Sequence, residues 1–201
     1  MKLKVIATLI ATVAVGVSFN SNFASASTTS ASLTVNSNLT MGTCSAQIMD
    51  NSNKVINEVV FGNVYISELG AKSKVQQFKI RFSNCSGLPQ NSAQIVLAPN
   101  GISCAGSQSS SAGFSNFYTD ASAATRTAVE VWTTDTPESN GSTQFHCAQK
   151  IPVPVTLPAD TTTQPYDYPL SARMTVAEGR LVTDVRPGNF RSPTTFTITY
   201  Q

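Results

Sequence analysis

The sequence predicts an all-β sandwich. Three observations predict it. Helix signals are almost absent past the first 26 residues, alternating apolar–polar runs recur between turn clusters, and the cysteine count is even at four. Alternation with period 2 is the mark of a half-buried strand, because successive side chains leave opposite faces of the pleat. Eight or nine short strands separated by Gly, Pro, Asn and Ser clusters make a two-sheet sandwich with Greek-key connections, of immunoglobulin-like type.

The chain opens with an export signal. Lys2 and Lys4 are a positive n-region, Val5 to Val17 an uncharged apolar core, and Ala24-Ser25-Ala26 a small-x-small cleavage site. The 13-residue core is too short for a helix across a bilayer, which takes about 20 residues. Cleavage after residue 26 of 201 leaves 175, enough for one domain with a sizeable core. The first mature strand is Ala31 to Met41. Cys44 to Met49 and Val55 to Val64 follow. Val75 to Cys85 is the clearest, with Phe78, Ile80 and Phe82 alternating with Lys79, Arg81 and Ser83. Gln94 to Ala98 is short and apolar, and residues 105–124 read as a long Ser/Gly/Ala-rich loop. Val129 to Thr133 carries the single tryptophan, Trp132, for which a core position is expected. Pro152 and Pro154 place Ile151 to Leu157 at a sheet edge, since proline cannot donate to a ladder. Tyr166 to Val176 presents Tyr168, Leu170, Ala172, Met174 and Val176 on one face, and Phe196 to Gln201 is the last strand.

Composition excludes several functions. The net charge is +2, and two of the lysines leave with the signal, so nothing favours nucleic acid or an anionic membrane surface. Charged residues are 12%, roughly half the usual ~25%, and Thr, Ser and Asn take their place. Cys44, Cys85, Cys104 and Cys147 allow three pairings, of which Cys44–Cys85 with Cys104–Cys147 is favoured, each closing a loop of about 40 residues. No C-x-x-C occurs and His146 is the single histidine, so neither a metal nor any other cofactor is expected. There is no G-x-S-x-G elbow, Walker loop or dinucleotide glycine pattern, and the acidic residues are scattered singly. An enzyme is not expected.

Both ends of the mature chain alternate without an obvious partner strand, as strands offered to other molecules would. Four features in order carry a family resemblance: SASLTVNSNLTMGTC, running into the first cysteine; VVFGNV, then FKIRFSNCSG about twenty residues on; YPLSARMTV; and PTTFTITYQ, with a penultimate tyrosine and Gly188 fourteenth from the end. With them the chain resembles chaperone–usher fimbrial (pilus) subunits over essentially its whole mature length, and is similar to the minor subunits of type 1 fimbriae.

The resemblance implies an incomplete immunoglobulin-like sandwich, the pilin fold, completed by donor-strand complementation. It implies residues 27–42 as the donor-strand extension and 43–201 as the pilin domain. Ala31, Leu33, Val35, Ser37, Leu39 and Met41 would be the knobs entering a neighbour's groove. Phe196, Ile198 and Tyr200 would border this chain's own groove and bind the chaperone strand, with Gln201 presenting its carboxylate to a basic cleft. The implied partners are a periplasmic pilus chaperone, an outer-membrane usher and neighbouring fimbrial subunits, with a host receptor left open. The implied destination is the cell-surface fimbrium of a Gram-negative bacterium, reached through the periplasm. One departure stands out: the family usually has glycine at one knob, and here that position is Ser37. The second reading is a single-domain tip adhesin that binds a host glycan, stacking the sugar on Trp132, Tyr118 or Phe117. Against it, the donor strand runs directly into Cys44 and leaves no room for a receptor domain.

Overall fold

A computed structural model describes residues 42–106 and 111–201, together with Ser37. The elements, in order, are β1 (Thr43–Met49), α1 (Ile66–Ala71), β2 (Val75–Ser86), β3 (Ser92–Pro99), β4 (Cys104–Ala105), β5 (Gly113–Phe114), β6 (Thr127–Trp132), β7 (Val153–Thr156), β8 (Tyr166–Val176), a 3-10 turn at Val182–Asp184, and β9 (Thr194–Tyr200). They form two sheets, one ordered β1-β2-β8-β6-β5-β4 and the other β7-β3-β9. Every pairing between these strands is antiparallel.

The core is built from the alternating faces. Phe78, Ile80 and Phe82 of β2 are at most 3% exposed, and so are Ala93, Ile95 and Leu97 of β3 in the opposite sheet. Leu170, Ala172 and Met174 of β8 and Val129 and Val131 of β6 complete the large sheet's inner face. Val153 and Val155 of β7 point inward while Pro154 is exposed, and β7 lies at a sheet edge as its prolines require. Two disulfides are formed, Cys44–Cys85 and Cys104–Cys147. The first ties β1 to β2; the second ties β4 to the segment after the β6 loop.

Four local expectations are corrected. Val55 to Val64 is not a ladder strand: among the described residues its strand-type pairing is a single bridge between Val55 and Met49, and the segment bends at Asn57 and Asn63. Residues 66–71 form a helix. The Tyr65 backbone N–H donates to the Glu68 carboxylate at 2.7 Å, and the helix ends at Lys72 in the left-handed region, where the Ser73 N–H donates to the Glu68 carbonyl at 3.1 Å. Within the expected 105–124 loop, β4 and β5 add two short strands to the large sheet. Trp132 is not in the core. It alternates with buried Val131 and sits half-buried on the outer face, where the Arg173 guanidinium lies 5.4 Å from its ring centre. That outer face is itself covered. Ser171, Arg173 and Thr175 of β8 are buried too, and the Ser171 hydroxyl donates to the Thr134 carbonyl at 2.6 Å.

Candidate functional site

Among the described residues, β9 pairs with β3 along one edge only; in the sheet order it is terminal. Beside that open edge lies a groove of about 900 Å3. One wall is Asn57 to Val64, a segment without a strand partner among the described residues. The other is Arg186 to Thr194, running on into β9 through Phe196. The floor is the sandwich interior itself: Leu69, Phe78, Val129, Val131, Ala172 and Met174 all line it. These floor side chains are at most 7% exposed, so a strand added at this position would lie directly against core residues.

The alternation of β9 sets what faces inward. Phe196, Ile198 and Tyr200 are half-buried, with Thr195, Thr197 and Thr199 exposed between them. Phe196 is gripped from below: its ring centre lies 5.8 Å from Phe145, edge-on, and 6.4 Å from Phe78. Tyr200 stands edge-on to Phe82 at 6.5 Å, and its hydroxyl donates to the Cys44 carbonyl at 3.2 Å. Burial raises the Tyr200 phenol above its ordinary pKa, so it stays a neutral donor. Gln201 folds back on β3, donating its backbone N–H to the Ser92 carbonyl at 2.9 Å and accepting from the Gln90 N–H at 3.3 Å. The sequence-expected Phe196, Ile198, Tyr200 and Gln201 are thus gathered at one sheet edge.

Residues before β9 are anchored away from the groove. The Asn189 N–H donates to the Ser122 carbonyl at 2.7 Å, and the Phe117 N–H donates to the Arg191 carbonyl at 2.6 Å. Gly188 allows the close approach, since a Cβ there would fall 2.4 Å from the Ser122 oxygen. Two groove residues carry an electrostatic oddity. Thr127 Oγ1 and Ser192 Oγ are buried and, among the described residues, meet no hydrogen-bond partner. Sequence reading missed this wall and these hydroxyls, because their meaning depends on sheet order. The one hint was VVFGNV, whose Val59 and Phe61 pack half-buried against the core.

The front-strand residues fall differently. Ala31, Leu33, Val35, Leu39 and Met41 lie outside the described residues, and Ser37 is exposed. The aromatic candidates for sugar stacking do not converge. Phe117 and Tyr118 contact each other edge-on at 5.9 Å beside Arg191, whereas Trp132 stacks on Arg173 and donates its indole N–H to Glu130 at 3.2 Å. Among the described residues, no group of three His, Cys, Asp or Glu side chains is placed to hold a metal ion.

A two-sheet sandwich with a core-lined trough along its last strand defines a class, the pilin fold. The P pilus rod subunit PapA shares it, superposing with a TM-score of 0.52 over 79% of this chain and 99% of that one at 16% identity. No family model matches the chain. It is 43% identical over 175 residues, 87% of its length and 86% of the relative's, to the uncharacterized fimbrial-like protein YadL of Escherichia coli (strain K12). The chain belongs to the same fimbrial-like protein family as this relative.

Proposed function

We propose that the groove accepts the amino-terminal segment of a neighbouring subunit, and that residues 27–42 of this chain are donated in turn to another. Residues 1–26 direct export and are removed; residues 43–201 form the body that receives. The observation that carries this reading is the trough floored by Leu69, Phe78, Val129 and Met174 beside the unpaired edge of β9. An open β edge supplies main-chain donors and acceptors for an added strand, and the floor supplies sites for alternate side chains. Each apolar knob buried contributes ~1.5–3 kcal/mol, so Leu33, Val35, Leu39 and Met41 together hold a durable junction.

The same trough needs cover before assembly, since an open strand edge beside apolar residues invites edge-to-edge association. A periplasmic chaperone that lends a strand along Phe196, Ile198 and Tyr200 provides that cover, and an outer-membrane usher is where the exchange for the next subunit's segment takes place. The assembled product is a cell-surface fimbrium.

A synthetic peptide of residues 27–41 added to the mature chain tests the reading. Occupancy raises the melting temperature and protects the amides of β9 and of residues 57–64 from hydrogen exchange. An unchanged melting temperature together with unchanged β9 protection overturns it.

A further inference from the structure

We infer that the groove contains a polar subsite, formed by the hydroxyls of Thr127 and Ser192, and that it takes the side chain of Ser37 from a second copy of this chain. The inference rests on the donor-strand reading above and specifies its occupant. Buried hydroxyls are almost always partnered, so an unpartnered one calls for an explanation. Here two occur among the described residues, Thr127 Oγ1 and Ser192 Oγ, and both belong to groove-lining residues. Thr127 is 5% exposed and shares the inward face of β6 with Val129 and Val131. An all-apolar donor strand laid over them would seal both hydroxyls unsatisfied. A donor with one hydroxyl among its knobs would offer a partner there after a χ1 turn, because a serine both donates and accepts.

This chain's own front strand has that pattern. Five of its six inward positions are apolar, Ala31, Leu33, Val35, Leu39 and Met41, and the remaining one is Ser37. Register permits the match. Directly opposed residues of an antiparallel pair project to the same face. Phe190, Ser192, Thr194 and Phe196 are all half-buried in the stretch leading into and through the start of β9, as is Pro193 among them. Placing position 37 opposite Ser192 in an antiparallel strand sets Leu33 opposite Phe196, Val35 opposite Thr194 and Leu39 opposite Phe190. Ala31, Leu33, Val35 and Leu39 then meet the half-buried wall residues Ile198, Phe196, Thr194 and Phe190, the single polar knob meets Ser192, and Met41 falls opposite the exposed Gly188. A one-residue slip would turn all six knobs outward. The serine that departs from the family's usual glycine is thereby matched to a groove on the same chain, and the subunit is self-compatible.

The test is one polypeptide: the mature chain, a short linker, and a second copy of residues 27–41. Ser37 of the appended copy is changed to Val, in the native groove and in grooves carrying Ser192→Ala, Thr127→Val or both. The expected result is that Ser37→Val lowers the melting temperature by roughly 2–4 °C in the native groove. In the doubly substituted groove the same change costs nothing or raises it. An equal or higher melting temperature for Ser37→Val in the native groove overturns the subsite, as does an equal loss in both grooves. Should Thr127→Val prevent folding, the Ser192→Ala cycle alone decides, because Ser192 is only half-buried. Failure of the underlying reading looks different: the appended segment then gives no stabilisation over the chain without it, whatever stands at position 37.

Discussion

Arg173 shows how a single residue can make a sheet two-sided. It lies on the outward face of β8 yet is only 4% exposed. Its guanidinium donates to Glu130 at 3.0 Å and to Glu138 at 2.8 Å, and it stacks on Trp132. Lys72 reaches the same Glu138 at 3.2 Å, so the end of α1 joins the network. Arg173→Met leaves the largely buried Glu130 without its cation, and breaking a buried pair from one side costs about 3 kcal/mol. Urea unfolding followed by the fluorescence of Trp132 measures the loss directly. A second residue, Asp167, gives a pH signature. Hydrogen bonds from Arg81, opposed by partial burial and reinforced by Lys79, hold its carboxyl at about 2 against an ordinary 3.8. A folded-state pKa below the unfolded one stabilises the fold above about pH 4, and the gain is lost as pH falls toward about 2. Asp167→Asn therefore flattens that part of the acid-unfolding curve. A third of its side chain meets solvent, which limits the effect to at most about 1 kcal/mol. Glu138, held at about 2 by its hydrogen bond from Arg173 and then by Lys72, titrates in the same window and is untouched by the substitution. Curves for native and Asp167→Asn chains that run parallel from pH 4 to 2 would dismiss the assignment.

At the scale of elements, what the sequence could reveal depended on whether an element's pattern is complete within itself. β9 was legible because Phe196, Ile198 and Tyr200 alternate strictly with threonines, and β2 because Phe78, Ile80 and Phe82 do the same with Lys79 and Arg81. β7 was placed at an edge by Pro152 and Pro154. α1 escaped detection because six residues give no helical period to read, and within it only Leu69 is buried, next to Gly70. Residues 57–64 carry strand-like alternation in Val59 and Phe61, but a ladder needs a second backbone, and none pairs with them among the described residues. Trp132 was misplaced because its size argued for the core, whereas a stacking cation gave it an equally good seat outside. These elements make distinct predictions. Phe196→Ala removes the ring held between Phe78 and Phe145 and destabilises the body by about 2–3 kcal/mol, less than for a fully buried phenylalanine. It also weakens binding of the 27–41 peptide, whereas Arg173→Met, on the far face of the large sheet, does not. Replacing Cys104 and Cys147 together by Ala releases a 43-residue separation, worth about 4 kcal/mol in the chain-entropy model. β4 and β5, each two residues long, loosen first. Thermal melting and limited proteolysis around residues 105–125 report this, and unchanged profiles in both would assign the disulfide no stabilising role.

For the whole molecule, the count of strands does not reveal that one is missing; sheet order does. Eight or nine alternating segments are as consistent with a closed sandwich as with an open one, and only the placement of β9 at the end of β7-β3-β9, with a groove lined by core residues beside it, separates the two. On the proposed reading, giving and receiving belong to different parts of the chain, and deletion separates them. A chain lacking residues 27–41 keeps every described element of the sandwich and the whole groove. It still gains thermal stability from the added 27–41 peptide, because the receiving wall is intact. It can no longer fill the groove of another molecule. Mixed with complete mature chains under assembly conditions, it occupies growing ends and stops them, so the oligomers shorten as its fraction rises. Size-exclusion profiles at several mixing ratios read this out. Two results would break the division of labour: a truncated chain that fails to bind the peptide, which would mean that residues 27–41 shape the groove they are thought to leave, or oligomers of unchanged length at every ratio, which would mean that subunits join through some other surface.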